Sequence, residues 1–92
     1  MDNRTLAELL IDEAHRLERK RSNLYRVRAY RRAAMVVLSL ERPVAEIVAE
    51  SGRKGLKALP GIGASLSETI ETLVRTGEID TLDRESTLAT AV

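Results

Sequence analysis

From Leu6 to Val74 the apolar residues of this chain recur at helical spacing, and nowhere does a sustained apolar–polar alternation appear. A run at i, i+3, i+4 and i+7 buries one stripe of a helix, whereas a half-buried strand needs a period of two. That pattern restricts the chain to helix-on-helix packing. The interior narrows it further. With no Phe, no Trp and two Tyr, the core must be built from Leu, Ile, Val and Ala, which suits helices better than a sheet. The expected fold is all-α, a compact bundle of four main helices plus a short one. One domain is expected over residues 1–85, with residues 86–92 as a frayed tail.

The pattern places the elements. Asp2 or Asn3 caps a first helix that turns Leu6, Leu9, Leu10, Ala14 and Leu17 inward. Ser22 or Asn23 caps a second, from about Leu24 to Leu40, with Val27, Tyr30, Ala34, Val37 and Leu38 inside and Arg21, Arg28 and Arg32 together on another face. Pro43 is expected as the first residue of a third helix carrying Val44, Ile47 and Val48, which ends before Gly52. A short helical turn follows from about Arg53 to Ala58. The last main helix, about Ala64 to Arg75, buries Leu66, Ile70, Leu73 and Val74 and stops at Gly77, and Ile79 and Leu82 begin a final turn.

Charge is balanced in total, with 15 Lys and Arg against 14 Asp and Glu, but it is unevenly distributed. Between Arg16 and Arg32 stand eight cations against Glu18 alone. From Ala64 onward Arg75 and Arg84 face six carboxylates. A basic block attracts phosphates, though it also serves as a solvated helix face. Cysteine is absent, which excludes disulfides and thiolate metal sites. No apolar stretch approaches the ~20 residues of a membrane span and the N-terminus lacks the pattern of a signal peptide, so a cytoplasmic location is expected. His15, the one histidine, reads as an exposed helix residue. Glu68 and Glu71 read as part of a solvated acidic surface with Glu78 and Asp80.

Leu59-Pro60-Gly61-Ile62-Gly63 carries the functional signal. Two glycines one residue apart let a backbone approach another molecule closely, and the helix behind them leaves unpaired N–H groups pointing out of the turn. With the positive end of the helix dipole, such groups form a site for an anion such as a phosphate.

Two segments then carry a resemblance. Asn23-Leu24-Tyr25-Arg26-Val27-Arg28-Ala29-Tyr30-Arg31-Arg32-Ala33-Ala34 is similar to a signature of the N-terminal domain of family X DNA polymerases, especially the bacterial ones. Leu56 to Leu82, with Leu-Pro-Gly-Ile-Gly, Ile70 and Thr76-Gly77, looks like that domain's helix-hairpin-helix element, here about residues 53–76. The two occur in the same order and at the same separation, and the resemblance covers nearly the whole chain. It implies a DNA-repair domain that binds the DNA backbone beside a gap or 5′ end, without reading sequence. The implied contacts are Gly61, Gly63, Ala64, Ser65 and Lys57 of the hairpin, with Arg26, Arg28, Tyr30 and Arg31 from the second helix. It also implies a monovalent cation, Na+ or K+, on the carbonyls of Lys57, Leu59 and Ile62; no other cofactor is required.

Some members of that family cleave a 5′-deoxyribose phosphate through a lysine Schiff base. Here Thr69 stands at the nucleophile's position, Ser65 and Thr81 at those of two helper lysines, and Tyr25 where a histidine is found. Only Lys20, Lys54 and Lys57 exist in the chain, so no enzyme activity is expected. Residual lyase activity through Lys57 or Lys54 is one alternative. A protein-binding module on the same fold, favoured by the acidic last third, is the other. The helix behind the hairpin carries Glu68 and Glu71 against Arg75, so strong DNA binding requires Arg26, Arg28, Arg31 and Arg32 to face the same groove.

Overall fold

A computed structural model describes residues 1–77, and these form four helices: α1 (Asn3–Arg19), α2 (Leu24–Ser39), α3 (Val44–Lys57) and α4 (Ala64–Thr76). The fold is all-α, as the periodicity requires. α1 packs along α2, α3 packs on α4, and α1 also touches α4. Leu6, Leu10, Ala14 and Leu17 of α1 meet Val27, Ala33, Ala34 and Val37 of α2 in the core, which Val44 and Leu56 of α3 and Leu66, Ile70 and Leu73 of α4 complete. These are the small aliphatic side chains that the missing aromatics left available. None of the helices among the described residues is long and apolar enough to cross a membrane.

Local chemistry fixes the ends. Asp2 caps α1, its Oδ1 accepting the Thr5 amide at 2.7 Å. That backbone bond holds the Asp2 carboxyl below its usual value of 3.8. α1 closes on two reverse bonds, Arg21 N–H to Glu18 O at 3.0 Å and Ser22 N–H to Leu17 O at 2.9 Å. They place Arg21 at φ +55°, the left-handed position that ends many helices. Asn23 then caps α2 by accepting the Tyr25 amide at 2.7 Å.

α3 starts differently from the sequence expectation. Pro43 is extended (ψ 136°) and stands before the helix rather than as its first residue. The reason lies 41 residues away: Asn3 Oδ1 accepts the Val44 amide at 2.8 Å, while its Nδ2 donates to the Arg42 carbonyl at 2.9 Å. One side chain thus fastens the start of α3 to the start of α1. Gly52, at φ +58°, breaks α3 into a longer first part and the short helical turn expected after it.

One further expectation is corrected, and one buried residue was not anticipated. Leu38 is 52% exposed, and Ala33, fully buried, takes the inward position on α2. Glu13 is buried (1% exposed) although nothing in the periodicity marks it. It is tolerated because Arg16, one turn on, donates to its Oε1 from Nε at 2.9 Å and also from Nη2. Its Oε2 has no hydrogen-bond partner among the described residues. The final turn around Ile79 and Leu82, and the tail 86–92, lie outside the described residues.

Breaking a buried ion pair from one side leaves an uncompensated charge, so Arg16→Met should cost about 3 kcal/mol of unfolding free energy. The double change Glu13→Leu with Arg16→Met should recover all but ~1 kcal/mol of that loss; urea unfolding of the three proteins measures both. Because the folded carboxyl of Asp2 titrates below its unfolded value, its stabilising contribution is complete above pH 3.8 and is lost as pH falls through the folded value. The melting temperature of Asp2→Asn, which keeps a capping acceptor, should therefore fall less on acidification than that of the wild-type chain.

Candidate nucleic-acid interface

The turn between α3 and α4 is anchored at its middle. Ile62 is 4% exposed and part of the core, whereas Gly61 and Gly63 on either side are exposed. The turn closes on Leu59 N–H to Leu56 O at 3.0 Å and Ile62 N–H to Leu59 O at 3.2 Å. Gly61 adopts φ +77°, a conformation that a Cβ disfavours. A Cβ there would come within 2.8 Å of Arg32 Cδ and would push that flexible stem aside. The Arg32 stem lies across Gly61, so α2 and the hairpin meet at this point.

Gly63 caps α4 without a side-chain acceptor. The first bond of the helix is Ser67 N–H to Gly63 O at 2.9 Å, so the amides of Ala64 and Ser65 have no acceptor among the described residues. Buried Ser67 donates its hydroxyl to the Ala64 carbonyl at 2.8 Å, which fixes the first turn. Amides free at a helix start, with the dipole behind them, attract an anion.

Beside these amides is a cleft of about 240 Å³ lined by Tyr25, Arg26, Ala29 and Tyr30 from α2 and by Gly61, Gly63, Ala64, Ser65 and Leu66. Arg26 and Tyr30 of α2 are thus brought to Gly61, Gly63, Ala64 and Ser65 of the hairpin. Tyr30 belongs to the core, at 5% exposure, and also lines the cleft. A second depression of similar size adjoins the first and is lined by Tyr25, Arg28, Ala29, Arg32 and Gly61. Arg26, Arg28 and Arg32 are exposed and carry no ion pair among the described residues.

Two expected residues lie elsewhere. Arg31 is on the flank of α2 toward α1 and donates to Glu18 Oε2 at 2.8 Å. Lys57, at the end of α3, is exposed and lines neither depression. Its carbonyl and those of Leu59 and Ile62 are main-chain oxygens on one turn; that of Leu59 already accepts the Ile62 amide and keeps a second lone pair. Oxygen donors of this kind suit a hard cation. The Thr69 hydroxyl donates back to the Ser65 carbonyl at 3.2 Å.

The acid on α4 also needs correction. Glu71 is not solvated: its side chain is 13% exposed, with Oε1 accepting from Arg53 Nε at 3.1 Å and Oε2 3.6 Å from Arg75 Nη2. Its charge is compensated by two guanidinium groups. Glu68 is exposed as expected, and Glu78 and Asp80 lie outside the described residues. Arg32 is not among the contacts that the resemblance implies, but it faces the hairpin as strong DNA binding requires. Its signal was present, because a residue four after Arg28 shares its helix face.

Comparison with curated proteins and with solved structures gave no match. The family model described as helix-hairpin-helix domain matches residues 1–79. That range contains both helix pairs, the anchored Gly61-Ile62-Gly63 turn and the cleft beside it, and the chain belongs to the helix-hairpin-helix domain family.

Proposed function

We propose that the chain is a sequence-nonspecific DNA-binding module that holds backbone phosphates. The observation that carries this reading is the convergence on one groove of the free amides of Ala64 and Ser65 with the unpaired Arg26, Arg28 and Arg32. Backbone amides and guanidinium groups contact phosphate oxygens, which are the same in every sequence. The groove offers no set of side chains matched to base edges. Family membership supports the same reading, since a helix-hairpin-helix presents its turn amides to DNA.

The finer reading is a domain of the family X polymerase type, acting in repair on gapped or 5′-end DNA. It rests on the resemblance of residues 23–34 and 56–82, together with the meeting of Arg26 and Tyr30 with the hairpin in one cleft. The chain acts in this reading as a binder and not as a lyase: Thr69 offers no amine, and its hydroxyl is engaged with the Ser65 carbonyl. A monovalent cation on the carbonyls of Lys57, Leu59 and Ile62 would add positive charge beside the bound phosphate.

Binding of duplex DNA, followed by fluorescence anisotropy across a salt series, tests the reading. The double variant Arg28→Ala with Arg32→Ala should flatten the slope of log K against log salt by about 2, near 0.9 for each lost phosphate contact. Arg31→Ala, which removes a charge already paired to Glu18, should leave the slope close to the wild-type value. No duplex binding at low salt excludes the proposal. At constant ionic strength, replacing K+ by tetramethylammonium, too large to sit among three carbonyls, should weaken the wild-type complex; equal affinity in both salts removes the cation.

A further inference from the structure

Apart from Met1, the large apolar side chains left exposed among the described residues all belong to α2. Leu24 (62% exposed), Met35 (66%) and Leu38 (52%) share one stripe of that helix with Arg28 and Arg31. Positions 24, 28, 31, 35 and 38 alternate steps of four and three residues, the repeat of a seam along which a second helix packs. The stripe lies opposite Val27, Tyr30, Ala34 and Val37, which face the core where α2 packs on α1. All five of its residues are exposed among the described residues.

Charge at the two ends of the stripe selects what fits it. Arg21 stands three residues before Leu24, and Glu41 three residues after Leu38. Both are exposed, and neither has an ion pair among the described residues. A second copy of the chain, laid antiparallel with Arg31 on the two-fold axis, sets Leu24 against Leu38 of that copy. Arg28 then lies beside its Met35, and Arg21 of each copy meets Glu41 of the other. A parallel copy would instead set Arg21 on Arg21, Arg28 on Arg28 and Glu41 on Glu41. Arg31 tolerates the axis because its charge is already met by Glu18 at 2.8 Å. We infer that the outer face of α2 is a self-docking surface, through which two copies of the chain form an antiparallel, two-fold symmetric pair. An isologous contact of this kind closes on itself, so association stops at two. Five seam positions make a small interface, of the class that associates weakly and reversibly. The Arg28 stem packs on Met35 in this pair while its guanidinium reaches toward the hairpin side, as long basic side chains do. Arg32 lies on that side of the seam, with Gly61 in the second depression, so the two-fold leaves both cationic grooves on one side of the pair. Pairing is independent of DNA and goes beyond the binding role proposed above.

Sedimentation equilibrium of the full chain without DNA, from about 10 μM to about 1 mM, covers the range of so small an interface. The weight-average mass should rise from one chain toward two and stop there. Leu38→Lys places a cation in the apolar end of the seam and should stay at one chain throughout. With that side chain half in solvent, its circular dichroism should match wild type. Arg21→Glu and Glu41→Arg should each weaken the pair about 10-fold, since each turns two attractions between exposed charges into two repulsions. The double change should restore the wild-type strength, because opposite charges again meet at both ends. Wild type remaining at one chain over the whole range, or growing past two, overturns the inference. Wild-type association in both single variants, the result of a parallel pair, overturns it as well. So does a double variant that stays as weak as the single ones. None of these results bears on duplex binding, which the salt series reads separately.

Discussion

Burial of Ile62 between two exposed glycines is the constraint from which the rest of the site follows. Fully burying such a side chain contributes about 1.5–3 kcal/mol, and here it holds the turn by its centre at 4% exposure. With the centre held, the glycines are turned outward and the amides that follow them begin α4 unpaired. The same anchoring sets the height of the turn against α2, so that Gly61 lies under the Arg32 stem. A residue with a side chain at position 61 would be strained at φ +77° and would displace the Arg32 stem from the turn. The hairpin supplies directional donors, α2 supplies charge, and their contact at Gly61 makes them one site.

Electrostatics agrees with this arrangement in a way that net charge conceals. The cations of α2 divide by flank. Arg31 faces α1 and is matched to Glu18, while Arg26, Arg28 and Arg32 face the hairpin and stay unmatched. On α4 the division is reversed, with Glu71 compensated by Arg53 from beyond the Gly52 break and by Arg75 on its own helix. Half-exposed pairs such as Arg31–Glu18 add little stability, roughly 0–1 kcal/mol. Their larger effect is to determine which charges remain available to a phosphate backbone. A nearly neutral chain can thus present a cationic groove.

Much of this was legible in the sequence, for identifiable reasons. Helix positions followed from a 3.6-residue period carried by aliphatic side chains, and the break at Gly52 from a glycine at the end of such a run. The turn was legible because Pro60, Gly61 and Gly63 have narrow conformational meanings. What stayed hidden was set by contacts between distant segments. Asn3 bonds to Val44 and so shifts Pro43 out of the helix; Glu71 meets Arg53 across 18 residues. Glu13 was hidden because a carboxylate at a core position breaks the apolar pattern, and only the adjacent Arg16 permits it. The cations of α2 stood in plain view, but which of them face the hairpin depends on where it lies, and no local pattern states that.

The central claim is that the hairpin amides and the hairpin-facing flank of α2 bind one DNA backbone together. Nuclear magnetic resonance titration of the 15N-labelled chain with a short duplex tests this residue by residue. The backbone amides of Gly61, Gly63, Ala64 and Ser65 and the side-chain Nε–H signals of Arg26, Arg28 and Arg32 should shift together, along one saturation curve, while those of Arg31 stay still. Shifts gathered instead around Arg31 or around the exposed Met35 and Leu38, with the hairpin amides unmoved, would contradict it.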